Sequence, residues 1–159
     1  MHKHNFTLIE ILVSVTIIAI LAGMLIGGLN YASKRADTAK TQSQFEELQL
    51  AFDAFKHDNG YFPISTSAAD VQFFLNTSAT PDVFSLRLGG SNYPFEKRGG
   101  KPYFEMQVSS SPEPVLDTWD QAIRYQCPGT HNPQSYDLWS YGPDRQDGTD
   151  DDLTNWKQN

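Results

Sequence analysis

From residue 11 to residue 29 the chain reads ILVSVTIIAILAGMLIGGL, an apolar run without charge or proline. At ~1.5 Å of rise per residue this run is about 29 Å long as a helix, the hydrocarbon thickness of a bilayer, and it predicts a membrane-spanning helix over 6–30. After it the pattern changes rather than stops. Phe45, Leu48, Phe52 and Phe55 recur at helical steps with Ala51 beside them, while Glu46, Glu47, Asp53 and Lys56 take the other side. That period puts one apolar stripe on a helix. No proline precedes Pro63, and the first stop signal is Asp58-Asn59-Gly60. A single helix is therefore predicted over 6–58, roughly 80 Å long.

Beyond this helix the pattern weakens. Residues 61–114 are rich in Ser, Gly and Pro, with short apolar patches at 71–75, 83–88 and 103–108. The stretch 68–75, with Ser67 as N-cap, predicts a short helix. The partial alternation of 103–108 predicts a strand. Residues 115–127 predict two strands joined by a turn at Trp119-Asp120-Gln121, ended by Pro128-Gly129, and 136–141 predict a third strand, rich in aromatic residues. Three antiparallel strands laid across the 45–55 face would close a core. The expected fold is α+β: one long N-terminal helix, with a membrane half and an amphipathic half, packed on a small antiparallel C-terminal sheet.

The chain has 159 residues and a formal net charge of −7. Past Leu29, eleven basic residues face eighteen acidic ones, which argues against nucleic acid as a partner. Cys127 is the single cysteine, so no intrachain disulfide can form, and the thiol is expected to be buried and inert. The apolar run exceeds the roughly 7 to 15 residues of a secretory-signal core. His57 and His131 lack partners at zinc-ligand spacing, Ser135 and Ser140 lack a nucleophile-elbow setting, and no glycine-rich phosphate loop occurs. Trp119, Trp139 and Trp156 read as core of a small sheet domain. No enzymatic constellation emerges, and a structural role is expected.

Two polar features stand out. Glu10 lies one turn inside the edge of the apolar surface, where an ionisable group needs a partner. Ala19, Gly23 and Gly27 share one helix face on which another helix can approach closely. The helix-weakening glycines predict local unwinding near 27–28 when subunits pack. At the other end, residues 142–153 carry five aspartates within nine positions. Such crowding means either a fully solvated loop or a hard cation. Of the cations calcium fits best, because it accepts about six to eight oxygens in loose geometry, whereas magnesium demands a tight octahedron. The spacing is not that of an EF-hand.

FTLIE at 6–10 followed by the apolar run resembles the N-terminus of class III signal-peptide proteins, the type IV pilins and the pseudopilins of type II secretion. The resemblance implies that 1–5 are a leader, that prepilin peptidase cuts between Asn5 and Phe6, and that Phe6 becomes a methylated N-terminus whose amine pairs with Glu10 of a neighbouring subunit. Asn5 stands where the family normally has glycine. The segment from Asp117 to Trp156 resembles the C-terminus of the major pseudopilin of type II secretion systems, whose loop binds calcium. On that resemblance Asp144, Asp151 and Asp152 would supply carboxylates, and Tyr141 and Gln146 backbone oxygens. Thr118, Asp120 and Arg145 replace the family's Pro, Gly and Gly.

The implied organisation is a leader (1–5), a transmembrane and filament-core helix (6–30), and a globular domain (31–159). That domain comprises an amphipathic helix to 60, a variable region 61–114, and a sheet with its calcium loop over 115–159. The implied protein sits in a bacterial inner membrane with this domain in the periplasm, polymerises with itself, and works with other pseudopilins and the secretion assembly platform. A minor pseudopilin, a type IV pilin and a single-pass anchored binding domain are the alternatives. True pilins usually carry a C-terminal disulfide loop, which one cysteine cannot make, and a plain tether has no use for Glu10.

Overall fold

The computed structural model describes residues 7–157, excepting the side chains of 25–30. The leader, with the processing pair Asn5 and Phe6, lies outside the described residues. Helix α1 runs Leu8–Asn59, unbroken through Gly27 and Gly28. The chain divides into two units, Met1–Asp37 and Thr38–Asn159.

In the first unit every residue from position 7 to position 24 is exposed, large apolar side chains such as Leu8, Ile11, Leu12 and Ile18 included. Ser14 and Thr16 return their hydroxyls to the carbonyls of Glu10 and Leu12, at 2.7 and 2.8 Å. Each hydroxyl thereby satisfies itself within the helix. Among the described residues no helix is long and apolar enough to cross a membrane. The side chains of the run are described as far as Met24, and the apolar character of its continuation to Leu29 is read from the sequence.

In the second unit the predicted stripe is the keel of the core: Phe45, Leu48, Ala51, Phe52 and Phe55 are all buried. Gly60, at φ 84°, ends the helix, and its N–H donates to the Lys56 carbonyl at 2.7 Å. A side chain at that φ would be strained, so glycine is the natural stop.

The remainder is antiparallel β-structure. Strands β1 (Ser65–Asp70), β2 (Gln72–Asn76), β3 (Val83–Leu88), β4 (Ser91–Pro94), β5 (Glu96–Lys97), β6 (Lys101–Pro102), β7 (Glu113–Pro114), β8 (Arg124–Cys127), β9 (Asp137–Ser140) and β10 (Leu153–Thr154) follow in order. They form one sheet ordered β1-β8-β9-β10, a second ordered β4-β3-β2-β7, and a β5-β6 ribbon.

Three sequence expectations are corrected. The helix over 68–75 is instead the end of β1 and most of β2, which belong to different sheets. Fully buried Val71 sits between them, its N–H on the Ile123 carbonyl at 2.9 Å and its carbonyl receiving the Val115 N–H at 2.8 Å. Tertiary hydrogen bonds outweigh the weak helix preference of two alanines. The strand over 103–108 is absent. Tyr103 and Phe104 both turn inward, onto Phe95 at 5.3 Å and Phe73 at 5.2 Å between ring centroids, so strand alternation has nothing to follow. Finally, the strand expected at 115–118 reduces to one bridge, Leu116 to Ala122, and the sheet takes its edges from β1 and β10. The turn at Trp119 and the break at Pro128 stand as read, and the aromatic strand expected over 136–141 is β9, Asp137–Ser140. Cys127 is buried, as expected.

Phe52 is wholly buried and meets Tyr125 of β8 at 4.7 Å, Tyr136 at 5.3 Å and Phe95 at 5.6 Å between ring centroids. Truncating such a ring leaves a cavity as well as losing transfer energy, about 3–5 kcal/mol in all. Urea denaturation of the detergent-solubilised chain should show Phe52→Ala losing that much, and a loss below about 1 kcal/mol would place the keel of the core elsewhere.

Candidate functional site

At the head of α1 the sequence Thr7-Leu8-Ile9-Glu10 makes a reciprocal cap. The Thr7 N–H and hydroxyl both donate to Oε2 of Glu10 at 2.8 Å, and the Glu10 N–H approaches the Thr7 hydroxyl oxygen at 3.4 Å. Within one chain Glu10 therefore has a local partner. The T-x-x-E spacing of a capping box announces this arrangement, and reading Glu10 only as a carboxylate passes over it. On the small-residue face, a Cβ added at Gly23 would meet nothing within 4 Å, so the face is open at that residue.

The acidic loop spans 141–152, between β9 and β10, and the Ser140–Leu153 pair closes its neck. Two residues shape its turns. Gly142 has φ 65°, and a Cβ there would collide with the carbonyl oxygen of Asp151. Arg145 takes φ 61° without being glycine.

The carboxylates inside are turned onto the loop's own donors. Asp144 accepts from the Gln146 N–H at 2.8 Å, while its own N–H reaches Oδ2 of Asp151 at 3.1 Å. Asp152, 7% exposed, accepts from the Gly148 N–H at 2.8 Å.

The Thr149 hydroxyl is the hub. Its oxygen lies 2.6 Å from Oδ1 of Asp151, 3.4 Å from Oδ1 of Asp152 and 3.3 Å from the Gln146 carbonyl. One proton cannot serve three acceptors, and the shortest contact holds it. That hydrogen bond, ahead of the Asp144 N–H, lowers the Asp151 carboxyl below the usual carboxylate range.

Of the predicted ligand set, then, the loop gathers Asp144, Asp151, Asp152 and the Gln146 carbonyl. Tyr141 lies at its neck, and among the described residues no hydrogen bond joins it to the others. Asp147 accepts from the Trp139 indole N–H at 3.2 Å and so anchors the β9 strand. Asp150 is exposed.

The donors are hard oxygens throughout, the kind calcium takes, and three acceptors already face the single point that the Thr149 oxygen fills. Among the described residues, no three His, Cys, Asp or Glu side chains stand close enough to cage a metal as they are placed. The set fits calcium in kind, and caging would need the carboxylates to turn from loop amides toward the centre. Sequence reasoning missed Thr149, because attention went to charge and a hydroxyl among five aspartates carries none.

A helix carrying a capped acid at its head, a core built on its later stripe, and a sheet closed by an oxygen-rich loop define a pilin-like subunit. Comparison with known proteins narrows the class. Residues 90–156 match the family described as "Type II secretion system (T2SS), protein G". The chain is 31% identical over 154 residues to the type II secretion system core protein G of Escherichia coli K12, covering 97% of this chain and 91% of that protein. It is 30% identical to the protein of that name from Aeromonas hydrophila, over 97% of this chain and 92% of that one. The same holds for Klebsiella pneumoniae, at 30% identity over 97% and 94%. A solved structure, the major pseudopilin from the type 2 secretion system of enterohaemorrhagic Escherichia coli, aligns with TM-score 0.49 and 21% identity over 78% of this chain and 90% of that one. This chain belongs to the type II secretion system core protein G family.

Asp120 at φ 62° and Arg145 at φ 61° are the two non-glycine residues with positive φ among those described. Both stand where the resembling pattern has glycine. Aspartate tolerates that region through its short polar side chain, whereas arginine gains no such local help. Arg145→Gly should therefore raise the stability of the chain by up to about 1 kcal/mol, net of glycine's entropy, and Asp120→Gly by less. Thermal unfolding monitored by circular dichroism reads both changes, and a lower Tm for Arg145→Gly would contradict the left-handed assignment.

Proposed function

We propose that the chain is a major pseudopilin: a subunit stored in the inner membrane by residues 6–30, with its domain in the periplasm, that polymerises with copies of itself into a filament serving protein export. The supporting observation is the capped acid at the head of a helical segment, residues 7–24, that is exposed throughout and carries no other charge, in a chain 31% identical to a core protein G relative over 97% of its own length. The role is mechanical rather than catalytic.

The physical argument runs through Glu10. Alone, its carboxylate is satisfied by Thr7. In a packed filament the same group is buried among apolar helices, where a cation must face it for burial to be tolerable. Cleavage between Asn5 and Phe6 by prepilin peptidase supplies that cation as the Phe6 amine of a neighbouring copy. Other pseudopilins and the assembly platform of the secretion machinery are the remaining partners.

Glu10→Gln separates the two uses of the residue, because the amide oxygen still accepts from the Thr7 N–H while the charge is gone. Loss of both filament and secretion in cells carrying Glu10→Gln is the expected result. Filaments at the normal level would leave the acid only a helix cap.

The acidic loop is proposed to hold calcium through Asp144, Asp151, Asp152 and the backbone oxygens of Tyr141 and Gln146. Bound calcium would supply two positive charges at the centre of the crowded carboxylates. By linkage a ligand at 100 times its Kd stabilises a fold by about 2.7 kcal/mol. EDTA should accordingly lower the Tm of the full chain in detergent, by several degrees for a domain of this size. Asp151→Ala should remove the calcium-dependent part. A melting curve indifferent to chelation would return the loop to plain solvation.

A further inference from the structure

One buried carboxylate joins the Trp119 hairpin to the acidic loop. Asp117, 5% exposed, uses Oδ1 to accept from the Trp119 and Gln121 N–H groups at 2.8 and 2.9 Å. Its Oδ2 accepts from the Ser140 hydroxyl at 2.6 Å. Ser140 is fully buried, and its oxygen in turn accepts from the Gly142 N–H at 3.1 Å. Because the single hydroxyl proton goes to Asp117, the lone pairs are left for Gly142 and the direction of the relay is fixed. Gly142 packs so closely on the Asp151 carbonyl that no Cβ could stand between them.

At the far end the hairpin rests on α1. The hydroxyl oxygens of Thr118 and Thr41 are 2.8 Å apart, and the Thr118 N–H donates to the Thr41 oxygen at 3.3 Å. Thr41 is fully buried. One tight contact, hydrogen bonds and the peptide link between Asp117 and Thr118 thus lead from Asp151 through Gly142, Ser140, Asp117 and Thr118 to Thr41. The hairpin itself needs only Oδ1 of Asp117. The second oxygen serves the loop side, and a carboxylate buried this deeply needs every donor it has.

We propose that Asp117 and Ser140 are positioning residues that couple occupancy of the acidic loop to the seating of the Trp119 hairpin on Thr41 of α1. The coupling rests on the calcium reading given above. Asp151, if held by a bound cation, would keep Gly142 against it, and Ser140 and Asp117 would in turn hold the hairpin on the helix. Coupling of binding free energies is reciprocal, so a badly seated hairpin must weaken calcium binding in the loop.

The test therefore perturbs the far end and reads the near one. Calcium chloride is titrated by calorimetry into the full chain in detergent, as wild type, Thr41→Val and Thr41→Ser. Thr41→Val keeps the volume, removes the hydroxyl and touches no loop residue. Its Kd for calcium is expected to rise about fivefold, the lower range of allosteric coupling, and Thr41→Ser is expected to restore it. If Thr41→Val does not fold, Thr118→Val removes the hydroxyl–hydroxyl contact and leaves the Thr118 N–H on Thr41, so the same rise in Kd, smaller in size, is expected. Wild-type binding with a Kd unchanged in the valine variants overturns the coupling and leaves the calcium site standing. Absence of any binding heat from the wild type overturns both.

Discussion

The globular part of this chain depends on one aromatic stripe of α1. Phe45, Leu48, Phe52 and Phe55 all face inward, and Phe52 alone touches rings from β8, from the approach to β9 and from the link between β4 and β5. Several strands are only two residues long, and strands so short bury too little to hold together unaided. What fixes them is the helix beneath, which supplies an apolar surface that no single sheet could replace. Deep burial also explains why polar groups between the layers are so carefully partnered. The Tyr125 hydroxyl, for instance, donates to the Pro63 carbonyl at 2.8 Å, and desolvation raises its phenol far above the ordinary range.

How much of this was legible depends on the range of the contacts. The stripe at 45–55 and the stop at Gly60 are local, so a helical period and a glycine were sufficient to place them. The aromatic strand at 137–140 and the Trp119 hairpin were legible for the same reason. The second sheet was not. In β3 the side chains of Phe84, Ser85 and Leu86 are buried in succession, which erases the alternation by which a half-exposed strand is recognised. β1 finds its partner across more than fifty residues, pairing Ser65 with Cys127. Pairing of that range leaves no mark in a short window, and Ala68-Ala69 reads as helix until Arg124 supplies the partner for Asp70.

The candidate sites were legible by charge and illegible by hydroxyl. Glu10 and the five aspartates announce themselves, yet the hydroxyls that hold Glu10, Asp151 and Asp152 belong to Thr7 and Thr149, each neutral and common. A carboxylate can accept several hydrogen bonds, so its geometry is set by whichever donors are near, and hydroxyls with one proton choose a single direction. That is why the acid at the head of α1 has a settled intramolecular partner before any second copy arrives. In the proposed filament, assembly would exchange one set of partners for another, which costs less than creating a buried charge from nothing.

The same economy explains the C-terminal loop. With one cysteine, and that one buried, the chain has no covalent closure for its last segment. β10 contributes two residues to the sheet edge. Beyond that pair, the Leu138 N–H donates to the Asn155 side chain at 2.9 Å, and Trp156 stacks on His131 at 4.1 Å between ring centroids. Each of these contacts is worth about 1 kcal/mol or less, and a frayed end would break them in sequence. A loop whose neck is hydrogen-bonded to a buried carboxylate breaks less readily, because opening it strands Asp117 without its Ser140 donor. The penalty for leaving such a group unpaired exceeds the gain from making one more surface contact. The tail is therefore held at its root, through Ser140 and Gly142, rather than at its tip.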